Sequence, residues 1–405
     1  MRQEIIVEPK EEKSLLADLE KRSDPEAERL KRFLQMPDLS REAGSPIHEL
    51  VKRILAIPDL KDFDVIKDPE IVPVKESFDL FNFPPDHPAR SRSDTYYLNP
   101  VRSLARAKGA SPKDLGEATS NGVNDDYILR THTTIMWYYY LRLPEIQARV
   151  KKGEPLGLLS YGKVYRKDEI DRNHMNVFHQ MDGLYICKRE EQEIGVAELQ
   201  DILIKIAQAV FGSSIEYRFN KDTFPYTDPS LEMEIKVKER WVEVLGSGVA
   251  HKKVLDNLGV DSKTWNGWAF GFGLERLAIL SMNLPDIRLL WSKDERVKRQ
   301  LHLGQEYKEV SKFPPITRDI SFVVKNDFAP NDYFDLIRDL GGDLVEEVSL
   351  LDKYENAEKF GEGKLSYTYR IIYRSNERTL TTEEIEPIQA KITKGTKQQF
   401  KADVR

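Results

Sequence analysis

Residues 158–187 read LLSYGKVYRKDEIDRNHMNVFHQMDGLYIC, two extended runs, Leu158 to Arg166 and Val177 to Cys187, separated by a charged loop. Strand, polar loop and returning strand make an antiparallel hairpin. Side chains alternate along a strand, so Arg166, Asp168, Phe178, Gln180 and Asp182 are expected to share one face and look into one cleft. A guanidinium there suits a phosphate through bidentate hydrogen bonds, and an aromatic ring beside it suits a purine. The plainer alternative is a surface salt bridge from Arg166 to Asp168 or Asp171, and the segment alone favours it.

Outward from the hairpin, residues 63–290 alternate extended segments such as Trp241 to Leu245 with helices at Val196 to Phe211 and Leu274 to Met282. That pattern predicts an α+β fold, an antiparallel sheet flanked by helices, rather than a doubly wound parallel sheet. Upstream, apolar residues at helical spacing on either side of Pro25 predict two amphipathic helices, and Ser45-Pro46 starts a third through Leu55. The expected domains are a charged helical extension over 1–45, a catalytic domain over 46–300, a linker over 301–312 and a C-terminal domain over 313–405. The Pro314-Pro315 pair marks the last boundary. Beyond it the order strand (320–324), helix (331–340), strand (344–354), strand (365–374), helix (382–400) and an edge strand is a ferredoxin-like split βαβ unit. Thr381 and Glu384 have capping-box spacing for its second helix.

Composition narrows the setting. With 62 basic and 68 acidic residues the net charge is −6, so any nucleic-acid contact must rest on local patches. The single cysteine, Cys187, excludes an intrachain disulfide or a cysteine zinc site and points to a reducing compartment. No apolar run approaches the length of a membrane span, and the mixed-charge N-terminus lacks the features of a transit or signal peptide. The cytoplasm is the expected location, with the mitochondrial matrix open to a processed chain.

Four more segments carry chemistry. In Trp268-Ala269-Phe270-Gly271-Phe272-Gly273-Leu274-Glu275-Arg276 the glycines permit close backbone approach, and Arg276 opens a helix whose N-terminus suits an anion, with packing as the alternative. Phe224 and Tyr226 in TFPYTDPS form either a core corner or a pocket wall. The LRTHTT cluster holds His132, a type more often structural than ligand-binding. Glu243 projects from the apolar strand WVEVLGSG and needs a partner, either a metal-bound phosphate or an arginine.

Together and in this order, LRTHTT, VYRKDEID, VFHQMDG, FPYTDPS, VEVLGSGVAH and AFGFGLERLAIL resemble the catalytic core of class II phenylalanyl-tRNA synthetases, and KFPPITRDISFVV with ERTLT resembles that family's anticodon-binding domain. The resemblance runs from about residue 46 to the end and implies a phenylalanine–tRNA ligase that uses ATP and Mg²⁺ and acts on tRNA(Phe). It implies catalytic roles for Arg166, His174 and Arg276. Arg166 and Arg276 would grip the α- and γ-phosphates, His174 the β/γ end, Asp168 the adenosine side, and Phe178 would stack on adenine. His132, Thr134, Gln180, Asp182, Phe224, Tyr226 and Ala269 would form the phenylalanine pocket, and Glu243, with Asp228 as a weaker candidate, would hold the metal. The chain departs from bacterial relatives at Asp182, where they usually have Glu, and from many members at Tyr226, where they have Phe.

The layout resembles the single-chain, mitochondrial form, which implies a monomer with no obligate second subunit. No segment has room for the family's editing domain. Lys391, Lys394, Lys397, Lys401 and Arg405 fall within about a third of a helical wheel. Such a stripe is usually a solvated face, and its place in an anticodon-binding module makes these lysines candidates for tRNA binding.

Overall fold

The computed structural model describes residues 4–98, 127–309, 313–375 and 377–405, which leaves residues 310–312 of the expected linker outside the described residues. By internal contacts the chain divides into two units. One comprises Met1–Tyr165, Val177–Asn283 and Leu301–Gln305, and the other Arg166–Asn176, Leu284–Gln300 and Glu306–Arg405.

In the first unit the chain runs through β1 (Glu4–Ile6), α1 (Lys10–Glu20), α2 (Pro25–Gln35), α3 (Pro46–Leu55), β2 (Asp64–Lys67), β3 (Ile71–Pro73), β4 (Tyr127–Leu129), β5 (Leu156–Tyr165) and β6 (Val177–Lys188). It continues through α4 (Val196–Phe211), β7 (Tyr217–Phe224), β8 (Thr227–Val237), β9 (Arg240–Ala250), β10 (Trp265–Gly273) and α5 (Leu274–Met282). Local chemistry sets the helix starts. Asp24 accepts from Ala27 N–H ahead of Pro25, and Ser45 accepts from Ile47 N–H ahead of Pro46.

Eight strands form one sheet in the order β1-β2-β5-β6-β10-β9-β8-β7. From β5 to β7 every pairing is antiparallel, as expected, but β1 with β2 and β2 with β5 are parallel. The long connections through α1–α3 and through residues 68–155 supply the crossovers that parallel pairing needs. The two helices expected around Pro25 are present, and β1 precedes them at the sheet edge. This N-terminal segment packs on the sheet: Glu12 accepts from Glu70 and Ile71 N–H at 2.9 and 3.2 Å, and Lys163 Nζ donates to Leu34 and Met36 carbonyls at 2.8 and 2.9 Å.

Helices α3, α4 and α5 pack on one another, α4 also on β9 and β10 and α5 on β6. An aromatic row, Phe63, Tyr185, Trp268, Phe270 and Phe272, stacks across β6 and β10 with neighbouring ring centres 5.6–6.0 Å apart. Gly183 makes room for that row. A β-carbon there would sit 2.4 Å from the Phe270 ring.

The second unit holds β11 (Ile316–Lys325), α6 (Pro330–Gly341), β12 (Val345–Glu355), β13 (Lys364–Tyr373), α7 (Thr382–Phe400) and β14 (Asp403–Val404). Its sheet order, β12-β13-β11-β14, is the ferredoxin-like arrangement expected from the element order. The Thr381–Glu384 capping box starts α7, and Phe322, Tyr333, Tyr369, Tyr373 and Ile392 fill the core.

Replacing Gly183 with Ala should overpack the aromatic row and destabilise the first unit by about 1–3 kcal/mol. A thermal unfolding midpoint equal to that of the parent protein would contradict this packing.

Candidate active site

The hairpin register pairs Val164 with Phe178, Gly162 with Gln180 and Ser160 with Asp182, and on the other side β10 pairs Gly273 with Gln180, Gly271 with Asp182 and Ala269 with Leu184. Opposed residues share a face, so Phe178, Gln180 and Asp182 look out over a floor of Ala269, Gly271 and Gly273, extended by Gly246 of β9 opposite Gly271. The floor carries almost no side chains, which lets a ligand lie against the backbone. Above Gly273 the space is open.

Asp182 is 5 % exposed, and its carboxylate accepts hydrogen bonds from the hydroxyls of Thr133 and of Thr134, the latter at 2.7 Å. Gly271 must be glycine for this, because a β-carbon would come within 2.6 Å of Asp182 Oδ1. Gln180 Oε1 is buried and has no hydrogen-bond donor among the described residues. One buried carboxylate and one buried carbonyl acceptor side by side on a strand are matched to a small cation.

Phe224 and Tyr226 form the wall. Two residues apart in sequence, they do not ride on one strand face, because β7 ends at Phe224 and Pro225-Tyr226 is the tight turn into β8. Their rings still stack, 6.0 Å apart and 10° from parallel. Asn82 Nδ2 donates to Pro225 O at 3.2 Å and His251 N–H to Tyr226 O at 3.0 Å, which pins the turn. The Phe224 ring lies over Gly246, where a β-carbon would meet it at 2.9 Å. His132, 8 % exposed, stacks on Phe83 at 5.8 Å, and both rings border Tyr226.

Arg276 lies in the first turn of α5 and is about half exposed, its Nη1 3.3 Å from the Glu243 carbonyl and 3.9 Å from its carboxylate. Glu243 is not the buried carboxylate expected from the sequence. It is 49 % exposed, on the part of β9 that runs past its pairing with β10 at Gly246–Val249, and it sits directly opposite Glu234. Partial burial is the main cause that pushes its carboxyl above the ordinary range; Arg276 opposes this, and Glu232, Asp222 and Glu234 add to it. Asp228 is not brought to Glu243. The register puts it in the bulge between the Thr227–Ala250 and Ser230–Gly248 pairs, at the other end of β8. Among the described residues no three metal-ligating side chains cluster.

Arg166 and Asp168 lie past the last β5–β6 rung, so the shared face holds for Phe178, Gln180 and Asp182. Residues Arg166–Asn176 belong to the second unit, and within it the loop is held throughout. Lys167 Nζ pairs with Asp332 at 3.0 Å, Arg338 donates to the carbonyls of Asp168 and Glu169 at 3.1 and 2.5 Å, and Ile170 is buried in the β11–β13 core. His174, half exposed, bonds Asp171 through Nδ1 at 2.9 Å.

Lys391, Lys394 and Lys397 are exposed on α7, outside the ion pairs of the described residues. The helical stripe stops there. The helix ends at Phe400, Lys401 takes the left-handed cap position, and Arg405 follows β14 with its guanidinium 4.4 Å from the Phe360 ring centre.

Comparison with known proteins finds two family models along the chain. The family described as tRNA synthetases class II core domain (F) matches residues 33–301, and the ferredoxin-fold anticodon binding domain matches residues 311–405. The chain is 37 % identical to the chloroplastic/mitochondrial phenylalanine–tRNA ligase of Arabidopsis thaliana, over 83 % of this chain and 71 % of that protein. It is 33 % identical to the mitochondrial phenylalanine–tRNA ligase of Mus musculus, over 78 % and 70 %, and 31 % identical to the phenylalanine–tRNA ligase alpha subunit of Chlorobium phaeobacteroides, over 70 % and 77 %. The chain belongs to the phenylalanine–tRNA ligase family.

Against that family background, the residues missed from the sequence are the ones that hold the named ones in place. Thr133 shares Asp182 with Thr134, and its signal was the T-H-T-T run itself. Phe81 and Phe83, in FDLFNF, border His132, and the alternating aromatics were the available clue. Asp38, His179 and Glu275 had no local signal.

Gly271→Ala should drive the Asp182 carboxylate off both threonines. The expected outcome is a KM for the amino acid raised by about tenfold or more, at an unchanged KM for ATP, on the ground that angstrom-scale misplacement costs up to about a hundredfold. Equal Michaelis constants in variant and parent would remove Asp182 from the site.

Proposed function

We propose that this chain activates phenylalanine with ATP and transfers it to the terminal adenosine of tRNA(Phe). The observation that carries the amino-acid end is the pairing, on one face, of buried acceptors at Asp182 and Gln180 with the Phe224–Tyr226 wall over Ala269 and Gly271. The acceptors fit an ammonium, the wall fits an aromatic side chain, and the glycine floor admits both. His132 and Thr134 stand near the amino and carboxylate groups.

Arg166 and Arg276 are assigned to the α- and γ-phosphates, with His174 at the β/γ end, Asp168 on the adenosine side and Phe178 against adenine. The half-exposed, weakly engaged guanidinium of Arg276 supports this, since a packing arginine would be buried and bonded. Glu243, crowded by other carboxylates, fits a cation that also binds phosphate oxygens, because Mg²⁺ in nucleotide sites commonly uses one or two carboxylates and keeps several waters. When bound, Mg²⁺ supplies neutralisation of phosphate charge. Asp228 has no geometric support for this role. The reaction needs no protein nucleophile, since the substrate carboxylate attacks the α-phosphate, the bond to the β-phosphate breaks and pyrophosphate leaves, while the residues position and neutralise.

The Tyr226 ring is part of the pocket wall, and its hydroxyl bears on selectivity between phenylalanine and tyrosine. No editing of tyrosyl-tRNA is expected of this chain, and neither module is proposed to need a second subunit. No described helix is long and apolar enough to cross a membrane. The organellar names of the plant and mouse relatives favour the mitochondrial matrix over the cytoplasm inferred from composition.

Two experiments test this. The purified chain alone should catalyse phenylalanine-dependent ATP–pyrophosphate exchange and charge tRNA, with tyrosine activated about a hundredfold less efficiently. Arg166→Ala should cut exchange by about a hundred- to a thousandfold. Exchange that depends on another amino acid would replace phenylalanine, and an Arg166 variant with near-normal exchange would remove that residue from the phosphates. Separately, reversing the charge of Lys394 and Lys397 should weaken tRNA binding and flatten its salt dependence by about one power per lost phosphate contact. Unaltered affinity would return α7 to an ordinary solvated face.

A further inference from the structure

The residue between Phe178 and Gln180 faces the opposite side of β6. His179 is fully buried there, with Nδ1 2.6 Å from Glu275 Oε1 and Nε2 3.3 Å from Asp38 Oδ1. Its backbone N–H also donates to both Glu275 oxygens, at 3.0 and 2.8 Å. Glu275, 2 % exposed, is the residue before Arg276 in the first turn of α5. Among the described residues Arg276 itself makes only long contacts with Glu243, so its placement depends on the backbone that carries it. Besides the packing of α5 on α3, α4 and β6, its first turn is anchored by the Glu275 carboxylate, whose hydrogen bonds among the described residues all come from His179.

We infer that Asp38 and His179 are positioning residues for Arg276, fixing Glu275 and with it the first turn of α5. This rests on the assignment of Arg276 to ATP. A buried Glu275 carboxylate needs a cation, and the His179 imidazolium supplies it. Burial alone would lower the imidazole, but Glu275 and Asp38 outweigh it and raise the group from 6.5 to about 9. The Leu39 N–H also points at Nε2 from 2.9 Å, a bond that only a neutral ring accepts. Two carboxylates outweigh that single amide, because charge-assisted hydrogen bonds are about twice as strong as neutral ones. Asp38 is in turn held below the ordinary carboxylate range: burial works against this, and His179, the Ser40 hydroxyl and Arg41 overcome it.

The other charges nearby are committed elsewhere. Lys163, opposite His179 on β5, binds Glu70 and two carbonyls, Arg130 binds Asp68, and Arg41 is shared between Asp38 and Glu4. Because the folded-state value is raised, the stabilisation is complete below about 6.5 and fades as pH rises through about 9.

The test uses Asp38→Asn, nearly isosteric and at a partly exposed site. In phenylalanine-dependent exchange the variant should show a KM for ATP raised by about tenfold, an unchanged KM for phenylalanine, and an alkaline limb of kcat/KM for ATP moved below that of the parent. An unmoved KM for ATP and alkaline limb would overturn the inference, and so would equal rises in both Michaelis constants, which mark general distortion of β6. His179→Gln, which keeps a donor toward Glu275, should retain more exchange activity than His179→Ala; if His179→Ala fails to fold, Asp38→Asn decides. Parent protein without phenylalanine-dependent exchange would instead sink the assignment of Arg276 to ATP.

Discussion

The hydrogen bonds that join β6 to β5 on one side and to β10 on the other fix, residue by residue, which side chains reach the floor of the site and which reach the core. A slip of one residue would exchange Phe178, Gln180 and Asp182 for His179 and Met181, because the strand period is two. The aromatic row guards against that slip. Gly183 admits the Phe270 ring from the core side while Gly271 admits the Asp182 carboxylate from the other, and neither fits if the strands shift. One pairing therefore sets the amino-acid pocket, the packing behind it and, through His179, the start of α5.

What the sequence disclosed follows from how local the signals were. Both ends of α4 and α5 and the capping box of α7 were legible because helical periodicity and caps act within a few residues. The hairpin and the shared face of Phe178, Gln180 and Asp182 were legible for the same reason, whereas Arg166 and Asp168 lie past its last rung. The ferredoxin-like unit could be read from element order alone, since short antiparallel connections leave few topologies.

The parts that stayed hidden depend on residues far apart in sequence. Asp38 meets His179 across about 140 positions, and β1 pairs with β2 across about 60. Composition also misled in particular places. Glu243 in an apolar strand looked buried, but it lies where β9 runs past its pairing with β10. Lys401 and Arg405 fall on the helical wheel with the other lysines although the expected helix already ends at residue 400, and the structure ends it there. Ile170, one apolar residue in a charged loop, turned out to belong to the core of the C-terminal unit.

The most direct measurement is a crystal structure of the chain with a non-hydrolysable phenylalanyl-adenylate analogue. The ammonium is expected within hydrogen-bond reach of Gln180 Oε1 and the Asp182 carboxylate, the phenyl ring against Phe224 and Tyr226 above Ala269, and adenine on Phe178. An analogue bound with its amino-acid end away from Asp182, or with the phenyl ring outside the Phe224–Tyr226 wall, would contradict it.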